Sequence, residues 1–238
     1  KPMIKKDEGI IVFLKKIKDN DLFIRVLSSN DKIVSGMVYG GNSTKKKLIY
    51  QIGYFIEYSL LQKNTNMPSN FTANISKPFI GPIMIDKIKS YSLLSIISII
   101  NMSIFEGQRI YGFYQDTKNI VEIIVSKENW VSFFCEWLFK LLKMIGYQID
   151  YQNNTKYKYF NLSSQKFENF NTKNSINFPH QILNHTGKIS FEELNAIFKI
   201  FESVYTKNHL DNINYKMPLN FVNFKISLLH HLKNFNNA

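Results

Sequence analysis

With 238 residues, 45% of them hydrophobic and 15% aromatic, the chain can hold one large domain or two small ones and can bury a sizeable core, which excludes wholesale disorder. Lys and Arg total 30 against 18 Asp and Glu, and the resulting charge of +12 favours a polyanionic partner, nucleic acid before membrane. A single cysteine, Cys135, excludes an intramolecular disulfide and a four-cysteine zinc site and fits a reducing compartment.

The basic excess is uneven. Residues 1–90 carry 15 basic and 7 acidic side chains, residues 91–238 carry 15 and 11. Only Arg25 and Arg109 are arginine. Because Asn, Ile, Lys, Phe and Tyr are all heavily used, a bias in the coding DNA is the plain alternative source of the lysines.

Strand-like patterning fills the same first third. The apolar run in Glu8–Ile17 ends at the turn-like Asp19-Asn20-Asp21, and Leu22–Leu27 alternates until Ser28-Ser29-Asn30-Asp31. Lys32–Tyr39 is a third run, ending at Gly40-Gly41; Gly53–Leu61 and Thr72–Ile80 follow, and Gly81-Pro82 closes the series. Five short strands with this punctuation predict a small barrel, with the OB type leading the class.

From residue 83 the period becomes helical. Ile85, Ile88, Tyr91, Leu94 and the run to Phe105 predict one helix. Leu93–Phe105, interrupted by Ser95, Ser98, Asn101 and Ser103, falls short of the ~18 apolar residues of a membrane span, and Ile10–Leu14 is too short for a signal-peptide core. A soluble, cytoplasmic protein is the expectation. Ser126 is read as the cap of a helix through Trp130, Phe133, Phe134, Trp137, Leu138, Leu141 and Ile145, with Gly146 as its C-cap. Ser190 and Glu193 form a capping-box signature before Leu194, Ile197, Phe198, Phe201, Val204 and Tyr205. Leu219–Phe235 completes the series after Pro218, while Tyr151–Gly187, polar and Asn-rich, reads as an irregular insert. The fold class is therefore α+β: an OB-type barrel over 1–82, then a mostly helical domain over 83–238.

Candidate chemistry centres on Tyr39-Gly40-Gly41-Asn42-Ser43-Thr44-Lys45-Lys46-Lys47. Two glycines permit close backbone approach, Ser43 and Thr44 supply hydroxyls, and Lys45, Lys46 and Lys47 supply cations for phosphate. A solvated hairpin tip has the same composition. Tyr39, with Phe13, Phe23, Tyr54, Phe55 and Tyr58, can stack bases or fill the core. Lys15, Lys16, Lys18, Arg25 and Lys32 extend a basic strip, or merely solubilise two strands. Catalytic signals are poor: His180, His185, His209, His230 and His231 all come late in the chain without a metal-ligand spacing, Cys135 sits on an apolar stripe, and no nucleotide or nucleophile motif occurs. No enzyme, metal or cofactor is expected.

Together these pieces resemble the bacterial RecO family of DNA repair and recombination mediators. Asp7-Glu8-Gly9-Ile10-Ile11 is similar to the family's opening strand, and Ser35-Gly36-Met37-Val38-Tyr39-Gly40-Gly41-Asn42-Ser43 with Lys45-Lys46-Lys47 to its third strand and basic loop. Gln51-Ile52-Gly53 resembles the start of its fourth strand. Glu136-Trp137-Leu138-Phe139-Lys140-Leu141-Leu142 with Ile145-Gly146-Tyr147 is similar to a helix end, and Lys216-Met217-Pro218-Leu219 to a C-terminal segment of some members. The resemblance implies an OB-fold, binding of single- and double-stranded DNA, and annealing of complementary strands. It also implies contact with the acidic tail of single-strand-binding protein, and assembly with RecR to load RecA during DNA damage repair. Arg109, Trp137, Lys140 and Lys143 are the candidates for the tail-binding pocket. Two departures stand out: residues 151–187, where some members hold zinc, contain no cysteine, and Tyr39 replaces a frequent arginine. The rival reading is a protein-interaction adaptor that binds polypeptide alone.

Overall fold

The computed structural model describes residues 3–18, 20–62 and 67–236, so Asp19 of the first expected turn lies outside them. Two compact units partition the chain, Lys1–Val125 and Ser126–Ala238. Three helices thus pack with the strands in the first unit, whereas the change of periodicity alone divides the chain at residue 82.

In the first unit, β1 (Met3–Lys16), β2 (Leu22–Ser28), β3 (Ile33–Val38), β4 (Phe55–Gln62) and β5 (Asn70–Lys77) pair in the order β1-β2-β3-β5-β4. Strand β1 is long enough to pair with β2 through its C-terminal half and with β4 through its N-terminal half, so the sheet closes on itself. Every ladder is antiparallel except the β3–β5 seam, which is parallel and registers only Met37 with Asn70. That seam requires glycine at 36: a Cβ there would come within 2.7 Å of the Ser69 carbonyl oxygen.

Alternation fixes the two faces of the sheet. Ile11, Leu22, Ile24, Val26, Val38, Ile56, Tyr58 and Phe71 point inward as one buried cluster, joined by Tyr50 from the β3–β4 connection. A one-residue bulge between Ile11 and Phe13 shifts the β1 register, and the Val12 carbonyl accepts a hydrogen bond from Asn101 Nδ2 at 2.5 Å. The bulge ties β1 to the helical layer of the same unit.

That layer contains α1 (Ile80–Ile85), α2 (Lys87–Ser103) and α3 (Phe113–Ser126). The single helix expected over 85–105 is broken at Asp86, whose extended backbone lets its carboxylate accept the N–H groups of Ile88 and Lys89 and start α2. Helix α3 had no counterpart in the sequence reading, although Phe113, Tyr114, Thr117, Ile120, Val121 and Ile124 are buried at helical spacing along it. Its start is fixed from a distance by Asp31, whose carboxylate accepts the N–H groups of Gly112 and Tyr114 at 2.8 and 2.9 Å.

The second unit is built on α4 (Trp130–Met144), α6 (Phe191–Tyr205) and α7 (Leu219–Asn236), with the one-turn α5 (His180–Leu183) between. Phe224 of α7 packs on Phe134 of α4 and on Phe198 of α6, with ring centroids 4.9 and 6.4 Å apart. Ser126 closes α3 and does not cap α4; the flanking residue there is Asn129. Gly146 ends the helix as expected, at φ +97°. The Ser190–Glu193 capping box forms in both directions. Residues 151–187 are less irregular than their composition suggests. They hold β6 (Tyr159–Asn161), β7 (Lys166–Glu168) and β8 (Ser175–Asn177), paired in the order β7-β6-β8. Phe160, Phe167 and Phe178 form an aromatic core for this sheet, with centroids 4.9–6.1 Å apart. The isolated phenylalanines give no period in the sequence, so turns between three-residue strands masked the sheet.

Candidate nucleic-acid interface

Register places the sequence candidates on the outer face of β1–β3. Phe13 lies opposite Arg25, and Arg25 opposite Ser35; one step along, Lys15 lies opposite Phe23, and Phe23 opposite Met37. Since Leu22, Ile24 and Val26 point inward, all six of these residues share the other face. Phe13 is 36% exposed, and its ring meets that of Phe23 edge to face at 6.3 Å. The surface is therefore an aromatic pair with a guanidinium and an ammonium beside it. Lys16, paired with Leu22, alternates to the opposite face, so Lys15 and Lys16 do not form one strip.

At the end of β3 the chain turns through Tyr39-Gly40. Gly40 adopts φ +64°, which an L side chain disfavours, and its N–H donates to Asp21 Oδ1 at 2.7 Å. The Asn42 N–H donates to the Asn20 carbonyl at 2.7 Å, so the β3–β4 connection is stapled to the β1–β2 loop. The backbone N–H of Lys47 donates to the Ser43 carbonyl at 2.9 Å, closing a tight turn that leads into a 3-10 turn at Lys46–Leu48. Ser43 is half-buried while Thr44, Lys45, Lys46 and Lys47 are exposed. Lys46 Nζ donates back to the Tyr39 carbonyl at 2.7 Å, leaving Lys45 and Lys47 as the outward cations. Tyr39 is exposed. The loop is thus a braced cationic tip beside the Lys15–Phe23 end of the outer face.

Lys32 lies elsewhere. It precedes β3, and so is separated from Tyr39 by the length of that strand, roughly 20 Å at ~3.3 Å per residue. Its backbone forms an isolated bridge with Arg109, whose guanidinium stacks on Tyr111 at 4.4 Å. Arg109, assigned by the sequence reading to a peptide pocket with Trp137, Lys140 and Lys143, belongs to the first unit and those three to the second. Trp137 is buried against Phe134, with centroids 6.0 Å apart, so its ring is core; Lys140 and Lys143 are exposed on α4.

Among the aromatics considered for stacking, Phe55 and Tyr58 are buried. Tyr58 packs on Phe71, and burial together with the neighbouring Asp7 carboxylate pushes its phenol pKa up. Burial also raises Tyr50, whose hydroxyl accepts the Ala73 N–H at 3.0 Å.

One constellation was invisible in the sequence. His185, at φ +57°, places Nδ1 3.0 Å from Ser132 Oγ and Nε2 2.9 Å from Glu136 Oε2, with its ring stacked on Phe133 at 4.0 Å. Ser132 is buried, and its hydroxyl also lies 3.2 Å from the Asn129 carbonyl, within donating distance. The arrangement pins the turn after α5 onto α4. These partners lie 49 and 53 positions from His185, beyond any local motif. Among the described residues no group of three or more His, Cys, Asp and Glu is arranged to hold a metal, and no helix is long and apolar enough to cross a membrane.

No known family model matches the chain. It is similar to the DNA repair protein RecO of Rickettsia canadensis (strain McKiel), at 28% identity over 145 residues, covering 61% of this chain and 59% of that protein. The RecO of Rickettsia bellii (strain OSU 85-389) is also 28% identical, over 146 residues and 60% of its length. An uncharacterized protein of Rickettsia prowazekii (strain Madrid E) is 32% identical over 95 residues, which is 82% of that protein and 40% of this chain. The chain spans about three fifths of the length of the RecO proteins it matches. Over about three fifths of the chain these relatives bear out the resemblance to RecO read from its residues.

Proposed function

We propose that this RecO-like chain serves in DNA repair and recombination by binding DNA, on the outer face of β1–β3 and the Lys45–Lys47 tip. The observation that carries the reading is the register that puts Phe13, Phe23, Arg25 and Lys15 on one face. An OB-type assignment is supported by the closed strand order β1-β2-β3-β5-β4 with its parallel β3–β5 seam. In that fold the second and third strands and the adjoining loops bind oligonucleotides.

The chemistry needed is electrostatic and positional. Lys15, Arg25, Lys45 and Lys47 hold the sugar–phosphate backbone, with release of condensed counterions. Phe13 and Phe23 offer ring faces to unstacked bases without reading their identity. Lowering the repulsion between two bound strands lets complementary bases meet, which is annealing without nucleotide hydrolysis and without a catalytic residue. Cooperation with single-strand-binding protein, with RecR and with a recombinase follows from the similarity to RecO, and is part of the same proposal.

Titration of a labelled oligothymidylate at two salt concentrations tests it. Binding should weaken steeply with salt, and complementary strands coated with single-strand-binding protein should anneal faster when the protein is added. Absence of binding at low salt would leave the adaptor reading in its place.

A further inference from the structure

The lysines of the β3–β4 tip stand on a backbone that an acidic side chain holds in place. Asp21, the residue before β2, is itself fixed through its main chain: its N–H donates to the Lys18 carbonyl at 2.7 Å, and its carbonyl accepts the Ile17 N–H at 3.1 Å. From there its carboxylate reaches across 19 positions of sequence to accept the Gly40 N–H at 2.7 Å. Two neighbouring contacts reinforce the hold. The Asn42 N–H donates to the Asn20 carbonyl at 2.7 Å, and Gly41 lies so close to the sheet end that a Cβ there would come within 2.8 Å of Val38 Cγ1 and 3.0 Å of Leu22 Cδ1. The bonded partner of the Asp21 carboxylate is thus a backbone amide of the tip and not an ammonium group.

We infer that Asp21 is a positioning residue for the polynucleotide interface, acting through Lys45 and Lys47 by keeping their backbone ordered before a strand arrives. The inference rests on the DNA-binding reading of the tip. Charge and order pull in opposite directions here. A carboxylate bonded to the tip opposes the phosphate that the tip's lysines attract, so on charge alone its removal should tighten binding. Order works the other way. A tip released at Gly40 has to be fixed again on binding, and immobilising each rotamer-rich side chain costs about fivefold in affinity. Salt screens an exposed charge and leaves the ordering cost untouched, so order decides the sign at physiological ionic strength.

Titration of a labelled oligothymidylate with the full chain and two variants tests this. Asp21→Ala removes both the charge and the acceptor; Asp21→Asn removes the charge alone, because its amide oxygen still accepts the Gly40 N–H. Asp21→Asn should bind at least as tightly as the native chain. Asp21→Ala should bind about fivefold more weakly, at low and at physiological salt alike. Introduced into a chain that already carries Lys45→Ala and Lys47→Ala, it should weaken binding no further. Exchange of the Gly40 amide reads the brace without any ligand, and should quicken in Asp21→Ala but not in Asp21→Asn. Should Asp21→Ala fail to fold, Gly40→Ala tests the brace from its other end. At φ +64°, with a Cβ that would meet nothing nearer than Lys46 Nζ at 4.0 Å, it strains this turn alone and should also weaken binding. Equal affinities for the two Asp21 variants, a further loss in the background without Lys45 and Lys47, or unchanged binding by Gly40→Ala would overturn this inference alone. Absence of binding by the native chain would overturn the DNA reading and this inference with it.

Discussion

Phe13 of β1 stands directly across the ladder from Arg25 of β2 on the outer face of the closed sheet. Ring and guanidinium contribute to nucleic-acid binding in separable ways, because one stacks and the other neutralises phosphate. Phe13→Ala should weaken binding of single strands by about 1–3 kcal/mol and leave the salt slope unchanged. Arg25→Ala should instead flatten that slope by about 0.7. Titrations at several salt concentrations measure both numbers, and the same effect from both changes would contradict the division of labour.

Replacing Lys45, Lys46 and Lys47 together by alanine should flatten the salt slope by about 1.4, at ~0.7 for each of the two outward cations. The three are not equivalent. Since Lys46 Nζ is held by the Tyr39 carbonyl, Lys46→Ala alone should produce the smallest change of the three single variants. A ranking with Lys46 first would refute the braced geometry of the tip.

Asp31 combines a left-handed backbone, φ +61°, with a carboxylate that accepts both Gly112 and Tyr114 N–H groups. Asp31→Ala should lose ~1–2 kcal/mol from the missing cap, with added strain at that φ. Asp31→Asn keeps tolerance of the conformation but only one acceptor oxygen, so its thermal midpoint should fall between the two.

Glu168 accepts hydrogen bonds from Ser175, from Thr172 at 2.8 Å and from Asn161 at 3.1 Å, and these hold its pKa below the ordinary 4.5. A depressed carboxylate pKa stabilises the folded state at pH above the unfolded value, and the contribution disappears as pH falls through the folded value. The β6–β8 sheet should therefore loosen on acidification below the usual glutamate range. Amide exchange at Ser175 reads this out, and Glu168→Gln should make that exchange insensitive to acid beyond its chemical rate.

Cys135 is fully buried on α4, and burial pushes its thiol pKa up. Alkylation by iodoacetamide should be negligible at neutral pH in the native protein and rapid in concentrated guanidinium chloride. Fast native labelling would place the thiol outside the helical core.

The five strands were legible because their apolar alternation ran between clusters of Asn, Asp, Gly and Pro. The capping box at Ser190 and the C-cap at Gly146 were legible because they are local. What stayed hidden was set at a distance. Helix α3 takes its start from Asp31, 81 and 83 positions before the groups it caps. The separation of Lys15 from Lys16 depends on pairing with β2, not on their own order. Trp137 was assigned to a tail-binding pocket because the apolar residues of its helix do not say in sequence which of them are covered; its ring packs on Phe134, which α7 covers through Phe224.

A ring fastened at a single rung has a preferred place to part. Between β3 and β5 only Met37 and Asn70 register, and beyond that rung the Ala73 amide finds the Tyr50 hydroxyl instead of a strand neighbour. One phenol thus acts as a clasp on the hoop, so slow breathing of the first unit should begin there and expose two bare strand margins. Whatever protects those margins in the cell protects the protein from joining its own copies edge to edge.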